Sequence, residues 1–155
     1  MTRIALIHAL NHSVAPINEA FARDWPEATR MNLLDDSLSA DLAQRGTGLD
    51  AAMHARFMAL ADYAVGTGAE GILFTCSAFG TCIDAVAARY PQMPVLKPNE
   101  AMVAEAQGGS GPGCTRIALA QFSMARARAA CAEATGLRVL TTVDSAVAAL
   151  RRRLD

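Results

Sequence analysis

The sequence lacks the features that mark several large classes of protein. No apolar run approaches the roughly eighteen residues that a membrane-spanning helix needs, so we expect no membrane partner. Lysine and arginine number 14 against 15 acidic residues, a balance that gives no sign of nucleic-acid binding. Aromatic residues make up only 5% of the chain, which argues against a stacked flavin. Together these shortages argue against membrane-bound, nucleic-acid-binding and flavin-binding proteins.

Metal ligands are also scarce. The four cysteines show neither CxxC nor Cys/His spacing, and the three histidines, His8, His12 and His54, form no metal-like array. We therefore expect no metal ion. The opening MTRIALIHAL is typical of a strand rather than of a secretory signal peptide. The cytoplasm is the expected compartment, where the cysteines stay reduced.

Apolar residues, by contrast, are abundant. They account for 52% of the 155 residues, enough for one soluble domain with a buried core. Strand-like and helix-like segments alternate, which predicts an α/β fold with a doubly wound parallel sheet. Asp50 and Asp144 are predicted to cap helices over 51–65 and 145–154. The predicted strands cover residues 4–7, 29–34, 71–74, 94–97, 117–122 and 139–142.

The most informative segment is GILFTCSAFGT, residues 71–81. Its apolar strand ends in Thr75, Cys76 and Ser77, and a helix-compatible segment, 83–90, follows. Doubly wound folds build their sites at such carboxyl ends, and the amides that start the next helix favour both an anion and a thiolate. The alternative is that Cys76 is a small buried hydrophobic residue, as free cysteines often are.

Two more segments, LKPNEAM at 96–102 and LAQFSMA at 119–125, accompany FTCSAFG at 74–80. Together the three resemble the aspartate/glutamate racemase superfamily, which includes hydantoin racemases and arylmalonate decarboxylases. The resemblance covers residues 1–106 and 116–155. It implies a cofactor-independent enzyme with two flavodoxin-like lobes and a site in the cleft between them. It further implies two thiols, one on each face of the substrate's α-carbon.

The resemblance also assigns roles to residues. Cys76 matches the catalytic cysteine of the first lobe, and its neighbours match positions that bind a substrate carboxylate. Polar residues after the first and fifth strands fall where further substrate contacts lie. Such a set suits the chemistry, because a thiolate removes the α-proton and hydrogen-bond donors stabilise the developing enolate. The implied substrate-binding residues are Asn11, Ser13, Thr75, Ser77, Gln121 and Ser123.

The sequence departs from the family pattern in its second half. The loop after the fifth strand, residues 120–123, holds no cysteine, Cys114 precedes that strand, and Cys131 falls within a helix. A Gly-rich stretch also stands where family members carry a further strand–helix–strand–helix section. We therefore predict a first racemase-type lobe over 1–106, a Gly-rich linker over 107–115, and a second-lobe remnant with a C-terminal helix over 116–155. These parts are expected to pack into one domain.

This shortened second half leaves several expectations open. The six strands could merge into one flavodoxin-like sheet, or the remnant could pair with another chain. Unpaired strand edges favour self-association, so we expect a homodimer. Three functions remain: a racemase-like isomerase for an amino-acid substrate of the aspartate, glutamate or hydantoin type, with a small carboxylate as the expected ligand; a one-thiol relative that decarboxylates or exchanges an α-proton; or a truncated lobe without catalysis.

Overall fold

The structure is a computed structural model that describes residues 1–46, 48–107 and 115–154. The described residues contain strands that alternate with helices along the chain. The strands are β1 (Arg3–His8), β2 (Thr29–Leu34), β3 (Gly71–Phe74), β4 (Val95–Leu96), β5 (Arg116–Leu119) and β6 (Arg138–Thr141). The helices are α1 (Val14–Asp24), α2 (Ser37–Arg45), α3 (Ala51–Gly66), α4 (Gly80–Arg89), α5 (Glu100–Gln107), α6 (Arg128–Thr135) and α7 (Thr142–Leu154). Short 3₁₀ turns cover Asn11–Ser13, Ser77–Phe79 and Phe122–Ala127.

The first four strands form an all-parallel sheet in the order β2-β1-β3-β4. Ile4 of β1 lies opposite Arg30 of β2 and Gly71 of β3, which fixes the register of the central strands. This order matches the first four strands of the flavodoxin-like arrangement, whose topological switch point lies between β1 and β3. The predicted doubly wound α/β fold is confirmed.

One core lies between this sheet and helices α2, α3 and α4. Every second residue of β1 and β3 points into it, as strand geometry requires. The ring of Phe57 on α3 lies 5.3 Å from the ring of Phe74 and 4.8 Å from that of Phe79. The sheet residues of this core are Ala5, Ile7, Ile72, Phe74 and Val95.

The second core covers the opposite face of the sheet. The remaining β1 and β3 residues pack there against α1 and against α7, which comes from the far end of the chain. Gly71 permits the close approach of α7, because a Cβ atom at this position would lie 3.3 Å from Leu154 Cδ1 and 3.4 Å from Leu150 Cδ2. The principal residues of this core are Ile4, Leu6, Ile17, Phe21, Leu73, Val143, Val147 and Leu150.

The last two strands form a sheet of their own. β5 pairs with β6 in parallel, with Ile117 opposite Val139, so the alternative of a single six-stranded sheet is wrong. β5 ends at Leu119 rather than at residue 122, because Phe122 begins a 3₁₀ turn and buries its ring in the α1/α7 core.

The predicted helix caps differ in outcome. Asp50 caps α3 as predicted, since its Oδ1 accepts a hydrogen bond from the Met53 amide at 2.8 Å. Asp144 does not cap the last helix, because β6 passes directly into α7 at Thr142. The Thr141 hydroxyl oxygen instead accepts a hydrogen bond from the Asp144 amide at 3.2 Å. Helix α2, which the sequence did not predict, carries few apolar residues and buries chiefly Leu38.

Part of the predicted linker, residues 108–114 with Cys114, lies outside the described residues. The division into 1–106, 107–115 and 116–155 therefore stays a prediction. Within the described ranges, none of the helices is long and apolar enough to cross a bilayer.

Candidate active site

A pocket of about 110 Å³ lies at the carboxyl ends of β1 and β3, at the topological switch point. Loops from both sheets form it, because the turn that follows β5 lies against the strand ends of the larger sheet. A mostly apolar groove of about 460 Å³ adjoins it and shares Ser77, Pro98 and Asn99. The pocket is lined by Leu10, His12 and Ser13 after β1, residues 75–77 after β3, Pro98 and Asn99 after β4, and residues 120–123 after β5.

The structure brings most of the predicted site residues together in this pocket. Six of the seven line it, from three separate stretches of the chain. Asn11 does not: it is exposed at the start of the 3₁₀ turn Asn11–Ser13, outside the lining. The six lining residues are Ser13, Thr75, Cys76, Ser77, Gln121 and Ser123.

Cys76 lies at the boundary between the pocket and the core. Its backbone is extended, and strand alternation turns its side chain to the same side of the sheet as Phe74. The thiol is half-buried and packs partly against the α3/α4 core. The turn Ser77–Phe79 and helix α4 follow at once, so helix-forming amides begin directly after the thiol. This arrangement favours an anion beside Cys76.

A buried histidine lies beneath the pocket. Nδ1 of His8 lies 2.9 Å from Oγ1 of Thr75, and Nε2 lies 3.0 Å from Oδ1 of Asn32, which also accepts a hydrogen bond from Asn18 at 2.8 Å. With the Asn32 amide in this orientation, its oxygen only accepts, so Nε2 carries the proton and Nδ1 accepts the Thr75 hydroxyl. Burial lowers the pKa of His8, and the hydrogen bond to Asn32 opposes this shift only in part. His8 is therefore neutral at pH 7.

This network changes what Thr75 offers to the pocket. Its oxygen lies 2.9 Å from His8 Nδ1 and 3.4 Å from the Ile7 carbonyl oxygen, so its proton is engaged within the protein and its oxygen faces other groups as an acceptor. The donors that remain are the side chains of Ser13, Ser77, Ser123 and Gln121, which have no hydrogen bond to any of the described residues. Oδ1 of Asn99 is buried and also has no partner there. The pocket thus presents one thiol amid free hydroxyl and amide groups, which suits a small polar anion.

The pocket has two titratable side chains among the described residues, Cys76 and His12. Cys82 is buried in α4 and Cys131 lies on α6, and neither lines it. No group of three or more His, Cys, Asp or Glu side chains in the described ranges is placed to hold a metal ion. Two further pocket residues, His12 and Asn99, were not predicted as site residues. Their positions after β1 and β4 carry the same strand-end signal that identifies Cys76.

Comparisons with known proteins add a likeness at the level of the fold. No family model matches the chain, and no curated protein matches it. Among solved structures it is similar to one described as a "putative Asp/Glu Racemase from Yersinia pestis", with a TM-score of 0.53 and 19% sequence identity. The match covers 91% of this chain and 64% of that chain. The likeness shows a shared fold, and the chain spans less than two thirds of the matched structure.

Proposed function

We propose that the chain is a cofactor-independent, racemase-like isomerase in which Cys76 transfers the α-proton of an amino-acid substrate of the aspartate, glutamate or hydantoin type. One observation carries the proposal. The thiol shares a pocket at the switch point with hydroxyl and amide groups that no described residue uses, in a fold shared with an Asp/Glu racemase-like structure.

The pocket supports this chemistry in two ways. A thiolate at Cys76 removes the α-proton and becomes a thiol, while the electron pair of the broken C–H bond moves into the carboxylate as an enediolate. Hydroxyls of Ser77, Ser13 and Ser123 are free to donate hydrogen bonds to the charge that develops there. Return of a proton to the α-carbon completes the turnover.

A one-thiol reaction is the second candidate. It is favoured because Cys76 is the sole cysteine that lines the pocket within the described part of the chain. A single thiol returns a proton to the face from which it took one, which gives α-proton exchange without racemisation. With a malonate, one carboxylate leaves as CO₂, its C–C electron pair becomes part of an enediolate, and the thiol donates its proton to one face of that carbon.

The test is α-proton exchange in deuterated water, followed by NMR with single enantiomers of aspartate and glutamate, hydantoins and an arylmalonate. We expect exchange by the intact chain, and a loss of about 100-fold or more in Cys76→Ala, since general acid–base catalysis contributes at least that much. Cys131→Ser, which alters a half-buried thiol outside the pocket, is the matched control and should exchange normally.

The products separate the candidates. Interconversion of enantiomers identifies an isomerase, whereas deuterium uptake with retained configuration, or decarboxylation, identifies the one-thiol reaction. A folded wild-type chain that exchanges none of these substrates, or a Cys76→Ala variant as active as wild type, would contradict the proposal and favour the truncated, inactive lobe.

A cytoplasmic homodimer belongs to the same proposal. The two-stranded sheet supports it, because exposed edges of short sheets invite pairing, and β5 leaves Ala118 exposed and Ile117 half-buried. Light scattering during size-exclusion chromatography should give twice the mass of the chain. A mass of one chain at all concentrations tested would contradict a homodimer.

A further inference from the structure

The three histidines of the chain differ in the hydrogen bonds that their rings make. Both ring nitrogens of His8 make hydrogen bonds, and Nδ1 of His54 lies 2.9 Å from the Asp50 carbonyl oxygen, to which it donates. The ring of His12 has no hydrogen bond or ion pair with any described residue, and it is exposed. It lines the same pocket of about 110 Å³ as Cys76. His12 is thus the histidine that is available to a bound molecule.

The other side chains of the pocket indicate what an available imidazole could do there. Cys76 and His12 are its two titratable side chains among the described residues, and Cys76 likewise has no hydrogen-bond partner among them. They follow neighbouring strands, β1 and β3, on the two sides of the switch point. Both side chains therefore border the space that a bound molecule would fill. Imidazole is also the side chain best suited to move protons near neutral pH.

We propose that His12 is the second acid/base of the site and acts on the substrate's α-carbon from the side opposite to Cys76. The assignment rests on the proposed function and supplies the partner that a second thiol would otherwise provide. Exposure of the ring to solvent allows its proton to be replaced between turnovers.

Each proton is accounted for in the step. The Cys76 thiolate takes the α-proton, the C–H electron pair becomes part of an enediolate, and the His12 imidazolium gives a ring proton to the other face of the carbon. The enzyme then holds a thiol and a neutral imidazole. Loss of the thiol proton to solvent and uptake of one by the imidazole restore the starting state. For the opposite enantiomer the neutral imidazole removes the proton and the thiol donates one.

The first experiment compares wild type, His12→Gln and His54→Gln on each pure enantiomer of the exchanging substrate in deuterated water. We expect His12→Gln to lose interconversion of the enantiomers by about 100-fold or more. It should keep exchange of one enantiomer with retained configuration, because Cys76 still works on its own face. His54→Gln, which removes a histidine outside the pocket, should behave as wild type.

Two results would overturn the assignment while leaving Cys76 in place. One is His12→Gln interconverting enantiomers within about twofold of wild type while Cys76→Ala is inactive. The other is an equal loss of exchange for both enantiomers in His12→Gln, which would indicate a structural effect rather than a base on one face.

The second experiment needs no turnover. The rate at which iodoacetamide alkylates Cys76 at pH 7 is measured by peptide mass spectrometry in the same three proteins. Because His12 and Cys76 line one pocket, loss of the imidazole should change the reactivity of the thiol, so we expect the rate to fall several-fold in His12→Gln and to stay unchanged in His54→Gln. Equal rates in all three would overturn the pairing of His12 with Cys76. A slower rate in His12→Gln beside an inactive wild type would support the pairing and reject the proposed reaction instead.

Discussion

The central strands of the larger sheet are buried almost throughout, whereas in the smaller sheet only one of the two strands is mostly buried. All residues of β3 are buried, and in β1 only Arg3 is not, because helices cover both faces of that sheet. The edge strand β2 of that sheet has no buried residue. In the smaller sheet, β6 buries Val139, Leu140 and Thr141, but β5 buries only Leu119. Parallel sheets are normally covered on both faces, so β5 is the strand that leaves the smaller sheet incompletely covered. The larger sheet, with the helices on its two faces, therefore forms the framework of the fold. The smaller sheet and the elements attached to it add to the core of that framework.

That contribution is substantial, because the second half of the chain finishes the core of the first. Helix α7 packs on β1 and β3 beside α1, and Phe122 lies in the same core. The turn that carries Phe122 also lines the pocket through Gln121 and Ser123. The second half of the chain thus supplies both a helix that covers the larger sheet and one wall of the candidate active site.

The largest expected effect tests whether α7 belongs to the framework. Leu150 is fully buried against β1 and β3, so Leu150→Ala should lower the free energy of unfolding by about 2–5 kcal/mol. Urea denaturation, followed by the fluorescence of Trp25, reports on the same core, where the Trp25 and Phe21 rings lie 6.0 Å apart. Leu34→Ala, at a leucine that is 45% exposed, is the control. Equal midpoints for the two variants would mean that the halves unfold independently.

A smaller effect is expected at the floor of the pocket. His8→Leu leaves Thr75 and Asn32 without their buried partner and should cost about 1–3 kcal/mol at pH 7.5. Because folding lowers the pKa of His8 below 6.5, the unfolded chain binds the proton more readily. The stability that neutral His8 contributes is thus present above pH 6.5 and is lost as the pH falls through the folded-state pKa.

The cost of His8→Leu should accordingly shrink between pH 7.5 and pH 5.5 when both proteins are unfolded in urea at each pH. His54→Gln serves as the reference for removing a histidine elsewhere. A cost for His8→Leu that is constant over this range would contradict the neutral, buried state of His8.

The smallest effect concerns a local feature of the framework. Asp50→Ala removes the cap of α3 and should cost about 1 kcal/mol, whereas Asp50→Asn keeps a capping oxygen and should cost less. Thermal unfolding followed by circular dichroism measures both. If the two variants lost equal stability, the 3.7 Å contact of Asp50 with Arg45, rather than the cap, would account for the effect.

Much of the framework could be predicted from the sequence because its signals are local. The apolar runs of β1 and β3 indicate strands buried on both faces, and Asp50 marks a helix start three residues before the amide it caps. The thiol of Cys76 was placed at a strand end by the same kind of pattern. Helix α2 was not predicted because it presents few apolar residues to the core and so lacks a clear helical periodicity.

The sequence by itself determined the apolar periodicity of most segments, and therefore the α/β class and the position of Cys76 at the end of β3. Only the tertiary structure decided that β5 and β6 form a separate sheet, that α7 covers the first one, and that His8 holds Thr75 while His12 lines the pocket without a hydrogen bond to any described residue. The physical reason is that periodicity specifies which face of an element is apolar but not which distant surface will cover it. Partners such as His8 and Thr75, 67 residues apart, meet only when the strands pair.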